Sequence, residues 1–490
     1  MNKIATLGAA VIIIAGAAIT GGAWYTGTRI EPLLREQLVD LNQQLAVSLA
    51  GQGRSAQVAL ASFDRQLFSS DARYEVTVQS PQLFGGQRTT LNVAEHIEHG
   101  PFPWSRVKTL HLLPVMASSQ FALQNSRELQ GWFDLTQGVA PVTGQATLGY
   151  DQSLEAGLQA LPLQWSDAQS SGAFSGLNVQ VKGTQDGREL HVSGTLDNLE
   201  AAFHNREGEA HLQLGGVVLN SGGLKGQSSF YLGNSSVKIT KALLQMPNKP
   251  ALELNGFLGV GSLEEEGGKL KGSTDYTLPD VRVGGAAAGS AQMRWVFSNI
   301  DAGAAADLAK VYRETIEPQA QAAAAAGVPY NPQLTQAEQL QLQASGMRLL
   351  AGQPHIALEN LGLKTANGES HLSLVLDLAK PADMEQPPLL LAQQLVSRLD
   401  AKLVLSKLTI QDLTTLQGQL QGETDAAALA RNAEGQANLV ATLATLQGVA
   451  RVEGNDIRSD LHYENGQVDF NGQKMTLQQF LAFLMSKVAG

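Results

Sequence analysis

Ser370-His371-Leu372-Ser373-Leu374-Val375-Leu376-Asp377-Leu378 sends Leu372, Leu374, Leu376 and Leu378 to one side of an extended chain. His371, Ser373, Val375 and Asp377 go to the other. A period of two predicts a strand with one face toward apolar surroundings. Shorter runs of the same kind recur at Tyr74-Val76-Val78, Leu177-Val179-Val181, Leu190-Val192, Leu212-Leu214, Val237-Ile239, Leu252-Leu254 and Met293-Trp295-Phe297, taking alternate residues. Turn signals such as Asp186-Gly187, Gly222-Gly223 and Gly267-Gly268 separate them. Strand follows strand without a regular helix between, which predicts antiparallel sheet and not βαβ units.

Helical patterns interrupt this texture. Between Asp301 and Ala351, Leu308, Val311, Tyr312 and Ile316 mark a helical face with Pro318 placed to kink it, and Gly327 and Pro329 stop the alanine run 322–326. Thr335-Gln336-Ala337-Glu338 is a capping box opening a second helix through Leu340, Ala344 and Met347. Pro387-Pro388 introduces a helix carrying Leu391, Leu395 and Leu399, followed by a strand at Leu403-Val404-Leu405, and helical composition fills roughly 412–431. Asn465-Gly466 and Asn471-Gly472 bracket a short strand, Gln467 to Phe470, and Leu477 to Val488 reads as an amphipathic helix with Phe480, Leu481 and Leu484. The expected fold class is α+β: a body dominated by antiparallel sheet with helical insertions. The expected divisions are 51–300 (β-rich), 301–351 (helical hairpin) and 352–490 (second β-rich half with helices).

The first 50 residues differ. Ile4 to Tyr25 is apolar without a charge, and about 22 residues at ~1.5 Å each reach about 33 Å, enough for a bilayer core of about 30 Å. Trp24-Tyr25 suits an interfacial belt. Lys3 and Gly21-Gly22-Ala23 also fit a cleaved signal peptide, but the run exceeds the usual apolar core of about 7–15 residues and passes straight into a charged amphipathic segment. The expectation is a single transmembrane anchor within 1–27, then a juxtamembrane helix over 28–50. Leu34, Leu38, Leu41 and Leu45 share a face of that helix. They either pack on the chain's own body or form a short coiled coil and hence a dimer face.

The chain has 490 residues, a formal charge of -11 and no cysteine. An acidic chain without a basic stripe argues against nucleic acid as a partner. Lack of cysteine removes disulfides, thiolate metal sites and a thiol nucleophile. No phosphate-loop, nucleophile-elbow or zincin motif occurs. Ser235-Ser236-Val237-Lys238 fits S-x-x-K but lies in a strand pattern without a companion K-T-G. His96, His99 and His111 read as turn or surface histidines sooner than as a zinc set, and Glu264-Glu265-Glu266 as a solvated hairpin tip. No catalytic, cofactor or metal residue is nominated.

One block stands apart: His99-Gly100-Pro101-Phe102-Pro103-Trp104. Gly-Pro-x-Pro stiffens the backbone, and Phe102 and Trp104 either plug the end of a sheet or form the aromatic lip of a recognition loop.

Together with Thr20 to Gly27, Leu113 to Ser118, Tyr463 to Val468 and Asn471 to Met475, this block resembles the YdgA-like family of bacterial envelope proteins. The resemblance implies a single-pass, Gram-negative inner-membrane protein with a periplasmic body. Homodimerisation is a further implication, in agreement with the leucine face. It brings no activity and no catalytic residue. The expected function is therefore non-enzymatic: binding or scaffolding in the envelope, with a lipid, another apolar ligand or an envelope protein as partner. The alternative is an envelope hydrolase whose active site the sequence does not display. Solvent-accessible apolar residues on strands such as 370–378 would point to an open groove, and a closed core to a partner-binding or structural role.

Overall fold

The computed structural model describes residues 38–39, 41–42, 45, 55–79, 87–166, 170–205, 208–228, 230–383 and 386–488. The apolar run 4–25 lies outside them, and no helix among the described residues is long and apolar enough to cross a membrane. The chain forms two units. The first gathers the described residues up to Glu209 with Gly215–Tyr231 and Leu308–Leu340. The second gathers Ala210–Leu214, Leu232–Asp307 and the described residues from Gln341 onward.

The first unit contains β1 (Ser55–Arg65), β2 (Ser69–Gln79), β3 (Thr89–His99), α1 (Trp104–Lys108), β4 (Val115–Leu123), α2 (Gln130–Leu135), β5 (Val142–Gly149), β6 (Ser153–Ala160), β7 (Leu163–Ser166), β8 (Ser170–Phe174), β9 (Leu177–Thr184) and β10 (Glu189–Asn205). Every pairing is antiparallel, in the order β1-β2-β3-β4-β5-β6-β9-β10-β8-β7. Val58, Tyr74, Val76, Leu91, Val93, Phe121, Val142 and Leu158 alternate onto one face, which is closed by Leu129, Trp132 and Phe133 of the α2 region and by Leu38 and Leu41. Asn42 fastens that segment to β1: its Oδ1 accepts the Val58 amide at 2.7 Å and its Nδ2 donates to the Val58 carbonyl at 2.8 Å.

This core holds a carboxyl. Glu95 is 3% exposed, and Tyr74 donates its hydroxyl to Glu95 Oε2 at 2.7 Å, while Oε1 has no hydrogen-bond partner. Burial pushes the Glu95 carboxyl above its ordinary range, against smaller opposing effects of the Tyr74 and Ser119 hydroxyls.

After β11 (Gly208–Lys225) come β12 (Tyr231–Gln245), β13 (Leu252–Glu266), β14 (Lys269–Val283) and β15 (Ala286–Asp301). Next stand α3 (Ala302–Val311), a π-turn (Tyr312–Ile316), α4 (Glu317–Ala326) and α5 (Gln336–Ala351). The remainder is β16 (His355–Lys364), β17 (Glu369–Leu378), α6 (Pro388–Leu395), β18 (Val396–Ser406), α7 (Lys407–Leu420), α8 (Ala426–Leu446), β19 (Arg451–Glu453), β20 (Asp456–Glu464), β21 (Gln467–Phe470), β22 (Gln473–Thr476) and α9 (Leu477–Val488). In the second unit β12 through β18 pair in chain order, and β20, β21 and β22 extend the sheet. β15 pairs with β16 across the helical insertion, so the change of sequence texture at 301–351 marks no break in the sheet.

Local chemistry explains the elements. The wide π-turn ends at Ile316, two residues before Pro318, whose missing N–H and ring disturb the regular hydrogen-bond ladder in the turn before it. The capping box is in place: Thr335 donates its amide and its hydroxyl to Glu338, each at 2.7 Å, and Glu338 returns its amide to Thr335 Oγ1 at 3.3 Å. Both residues of Gly267-Gly268 and of Asn465-Gly466 have positive φ, as the hairpins they close require.

Three expectations change. Gly222-Gly223 is no turn but lies inside β11, and a Cβ on Gly222 would collide with the Leu190 carbonyl and His191 of β10. The helix after Pro387-Pro388 ends at Leu395, so Leu399 is a strand residue paired with Leu376 and Tyr463. The helical stretch placed at 412–431 is two helices, α7 and α8, broken after Leu420 with Gly422 at φ 92° and restarted by Asp425 accepting the Ala427 amide.

Aromatic rings lie over glycines directly opposite them in the ladder: Phe121 over Gly144, Trp165 over Gly172, Tyr276 over Gly259 and Phe297 over Gly272. A Cβ on Gly272 would stand 2.7 Å from Phe297 Cζ, whereas one on Gly435, within α8, meets nothing within 4 Å. Gly272→Ala should therefore cost about 1–3 kcal/mol in denaturant unfolding, and Gly435→Ala should stabilise by about 0.5–1 kcal/mol. A second test concerns pH. Because the folded-state pKa of Glu95 lies above its reference value of 4.5, its contribution to stability is complete below about pH 4.5 and is lost as pH rises through the folded value. Glu95→Gln keeps an acceptor for Tyr74 without the charge, so its thermal midpoint should exceed wild type at neutral and alkaline pH and match it near pH 4.

Candidate functional site

Two apolar surfaces stand out, one on each unit. The first is built around the loop from β3 to β4. Gly100 takes φ 95°, open to glycine and strained for other residues. Its amide donates to the Met116 carbonyl at 3.2 Å, and the Val115 amide to the Pro101 carbonyl at 3.0 Å, so the ladder continues past both strands. The Pro103 carbonyl accepts the amides of Arg106 and Val107, which starts α1. The Glu98 carboxylate accepts the Ser105 amide at 2.9 Å and also its hydroxyl. His99 donates its amide to the Phe68 carbonyl at 2.8 Å, and its Nε2 is 2.8 Å from Oγ of the fully buried Ser70. Burial holds the His99 imidazole below its usual pKa.

The corner is rigid, yet its rings are not buried. Phe102 and Trp104 are exposed, Trp104 at 62%, with Lys108 Nζ 5.5 Å from the Trp104 ring centre. Leu67 and Phe68 of the β1–β2 turn and Leu110, Leu112 and Leu113 of the same β3–β4 loop are exposed too, Leu113 at 78%. Register puts these connections at one end of the sheet, since Ser69 pairs with Glu98 and His99 with Ala117.

The second surface is the stripe-bearing face of the second unit. Leu374 pairs with Leu358 and Ala401, Leu372 with Leu361 and Leu403, and Leu376 with Ile356 and Leu399. Beyond these, Trp295 faces Leu358, Met293 faces Leu361 and Phe297 faces Ile356. A bulge at Glu359-Asn360 keeps Leu358 and Leu361 on one side. Leu358 is buried, but Leu372, Leu374, Leu376, Met293, Trp295 and Phe297 are half-buried, and Leu361 and Leu403 remain 42% and 39% exposed. Farther along, α9 closes the face: Phe480 and Phe483 pack on Tyr463, Val468 and Phe470, whereas Leu481 and Leu484, expected on the packing side, are exposed. The opposite face of the sheet is ionic, with Arg294 bonded to Asp275 and Glu359, His355 to Asp377 and His462 to Asp400.

The remaining nominated residues fall as follows. Leu38 and Leu41 are buried in the first unit's own core, Leu45 packs against it, and Leu34 lies outside the described residues. His96 points to the opposite face of β3 from His99 and pairs with Asp71 at 2.6 Å, while His111 bonds Thr109. Ser235 and Lys238 fall on opposite faces of β12. Among the described residues no three His, Cys, Asp or Glu gather as a metal site. Sequence reasoning missed Leu67-Phe68 and Leu110 to Leu113. Their signal was large apolar residues crowded into connections, with Pro114 following Leu113, where polar residues are the rule.

An antiparallel β-sheet body with accessible apolar surfaces belongs here to a defined family: residues 1–478 match the one described as "Bacterial protein of unknown function (DUF945)", and the chain is a member. Protein YdgA of Escherichia coli K12 is 30% identical over 496 residues, covering 98% of this chain and 96% of that protein. A second Escherichia coli K12 relative, YihF, described as uncharacterized, is 23% identical over 486 residues, 96% of this chain and 97% of its own. An uncharacterized Haemophilus influenzae protein is 27% identical over 177 residues, 36% of this chain and 47% of its own. The YdgA-like resemblance therefore extends over nearly the whole chain. No solved structure matches.

The geometry separates frame from rim in the β3–β4 loop. His99→Ala strands the hydroxyl of buried Ser70 and should cost about 1–3 kcal/mol. Trp104→Ala removes an exposed ring and should shift stability by no more than about 0.5 kcal/mol. Thermal denaturation of both variants measures the contrast.

Proposed function

We propose that this protein is a non-enzymatic, inner-membrane-anchored periplasmic protein that holds the apolar chain of a lipid-like amphiphile against the sheet of its second unit. The observation that carries this reading is the accessible aliphatic ladder Met293–Leu361–Leu372–Leu403 beside Trp295–Leu358–Leu374. Exposed apolar area in contiguous array is costly in water and marks a surface meant to be covered.

The chemistry of the face selects the ligand. Strands β13 to β17 are paired on both sides, so they offer no free backbone edge to an added peptide strand. The ladder presents no charged side chain, because the ion pairs occupy the opposite face. Seven strands, β12 to β18, spaced ~4.8 Å apart give a width of about 29 Å, room for a long aliphatic chain lying across them. Anchoring in the inner membrane and a periplasmic location rest on the apolar run 4–25 and on the YdgA-like resemblance.

Photo-crosslinking in the full-length protein tests the reading. A photoreactive residue replacing Leu361 or Leu403 should yield lipid adducts by mass spectrometry, and the same residue replacing His371 or Lys402, on the opposite face, should yield at least tenfold less. Equal yields from both faces, or no adducts at Leu361 and Leu403, would overturn it.

A further inference from the structure

We propose that the loop tips of the first unit, Leu67-Phe68 and Phe102 through Leu113, form a membrane-insertion surface that seats this unit on an anionic bilayer. The inference is independent of the lipid-holding face, because it rests on different residues of a different unit.

Exposure is the first observation. Leu67, Phe68, Phe102, Trp104, Leu112 and Leu113 stand out from one end of the sheet. Presentation is the second. These side chains are not loose in a mobile loop: the His99–Phe68, Gly100–Met116 and Val115–Pro101 backbone bonds lock the two connections together, and Glu98 holds the start of α1. A rigid loop loses little conformational freedom on insertion, and it cannot fold its own rings away.

Charge decides between a bilayer and other apolar partners. Within a chain of net charge -11, residues 100–114 carry no carboxylate and two cations: Lys108, which is exposed, and Arg106, which is half-buried with its Nη1 3.4 Å from Thr147 Oγ1. Glu98, the acid nearest this stretch, is occupied by Ser105, and beside Leu67-Phe68 the exposed Asp64 is offset by the exposed Arg65 while Asp71 is paired with His96 at 2.6 Å. Aromatic and leucine tips backed by cations match the layering of an anionic membrane surface, where apolar groups enter the acyl boundary and Lys or Arg meets headgroup phosphates. Trp104 with Lys108 over its ring joins both chemistries at one point.

Chain reach is compatible with this. β1 runs from Ser55 toward the lip, and Asn42 is bonded at Val58. Arg65 lies about 23 Å beyond Val58 at ~3.3 Å per residue. Seventeen residues separate Asn42 from Tyr25, the end of the apolar run, and a chain of that length can span up to about 56–61 Å. The run 4–25 therefore has the reach to enter the same bilayer that the lip meets.

The chain has no cysteine, so single labels are clean. Full-length protein bearing Phe68→Cys, Leu112→Cys or Gln145→Cys, each with a spin label, would be reconstituted into vesicles of phosphatidylethanolamine and phosphatidylglycerol. Gln145 lies within the first unit's sheet and is exposed, away from the lip. Labels at 68 and 112 should show at least threefold lower accessibility to an aqueous nickel chelate than in detergent solution, with oxygen accessibility raised, and the label at 145 should not change. Replacing phosphatidylglycerol by phosphatidylcholine should reverse at least half of that protection. Labels at 68 and 112 as water-accessible as the label at 145 would overturn the proposal, and protection indifferent to lipid charge would overturn its anionic part.

Discussion

Strict alternation of side chains across a paired strand is the constraint on which the rest depends. Once Leu374 is fixed opposite Leu358 and Ala401, each neighbour in β16, β17 and β18 is assigned to a face, because a slip of one residue would exchange the leucines for Asp377 and His371. Both units obey it, with opposite consequences. In the first, the alternating residues meet Trp132, Phe133, Leu38 and Leu41 and become a closed core. In the second, α9 covers only the far end, and the ladder through Leu361 and Leu403 stays accessible. The same local code yields a core or a surface according to what the chain supplies to cover it.

Alternation is local, so strands were readable in the sequence, whereas coverage is not. The strands at 74–78, 177–181, 237–239 and 293–297, the Thr335 capping box and the two Asn-Gly turns are decided within a few residues of themselves. Gly222-Gly223 shows where that stops: a glycine pair serves a turn or a close approach equally well, and only the position of Leu190 and His191 in a neighbouring strand selects the second. Leu399 continues a helical spacing from Leu391 and Leu395, yet its partners are Leu376 and Tyr463, remote in sequence. Glu95 shares the parity of the buried Leu91, Val93 and Ile97, a placement its charge argues against. Its burial follows from register against Ala72 and Phe121. At the site, the stiff corner after His99 was visible in its glycine and prolines, but the joining of Leu67-Phe68 to it depends on β2 and β3 pairing.

The glycine content has a matching explanation at four points. Phe121, Trp165, Tyr276 and Phe297 each lie over the glycine opposite. A bare backbone beneath a ring lets the ring lie flat and cover the strand, which offsets the weakness that glycine brings to a ladder. In the first unit this arrangement fills a core. On the half-buried face of the second, flat rings at Tyr276 and Phe297 make a smooth floor, where upright side chains would break it into separate pits.

The two accessible surfaces differ in a way that argues for different surroundings. The lip sets exposed Phe68, Phe102, Trp104 and Leu113 near the exposed Lys108, whose Nζ lies over the Trp104 ring, so apolar and cationic chemistry meet there. The ladder offers aliphatic and aromatic side chains alone and relegates its ion pairs, Arg294 with Asp275 and Glu359 among them, to the reverse face. Such a floor gives no purchase to a headgroup and no orientation to a polar peptide, and its attraction is non-directional. It therefore suits a chain held by contact area along its length, with selectivity for the polar end left to other residues. A hydrolase would need the reverse: convergent polar groups aimed at one bond. On the reverse face Arg294 is paired instead with Asp275 and Glu359, His355 with Asp377 and His462 with Asp400, across neighbouring strands.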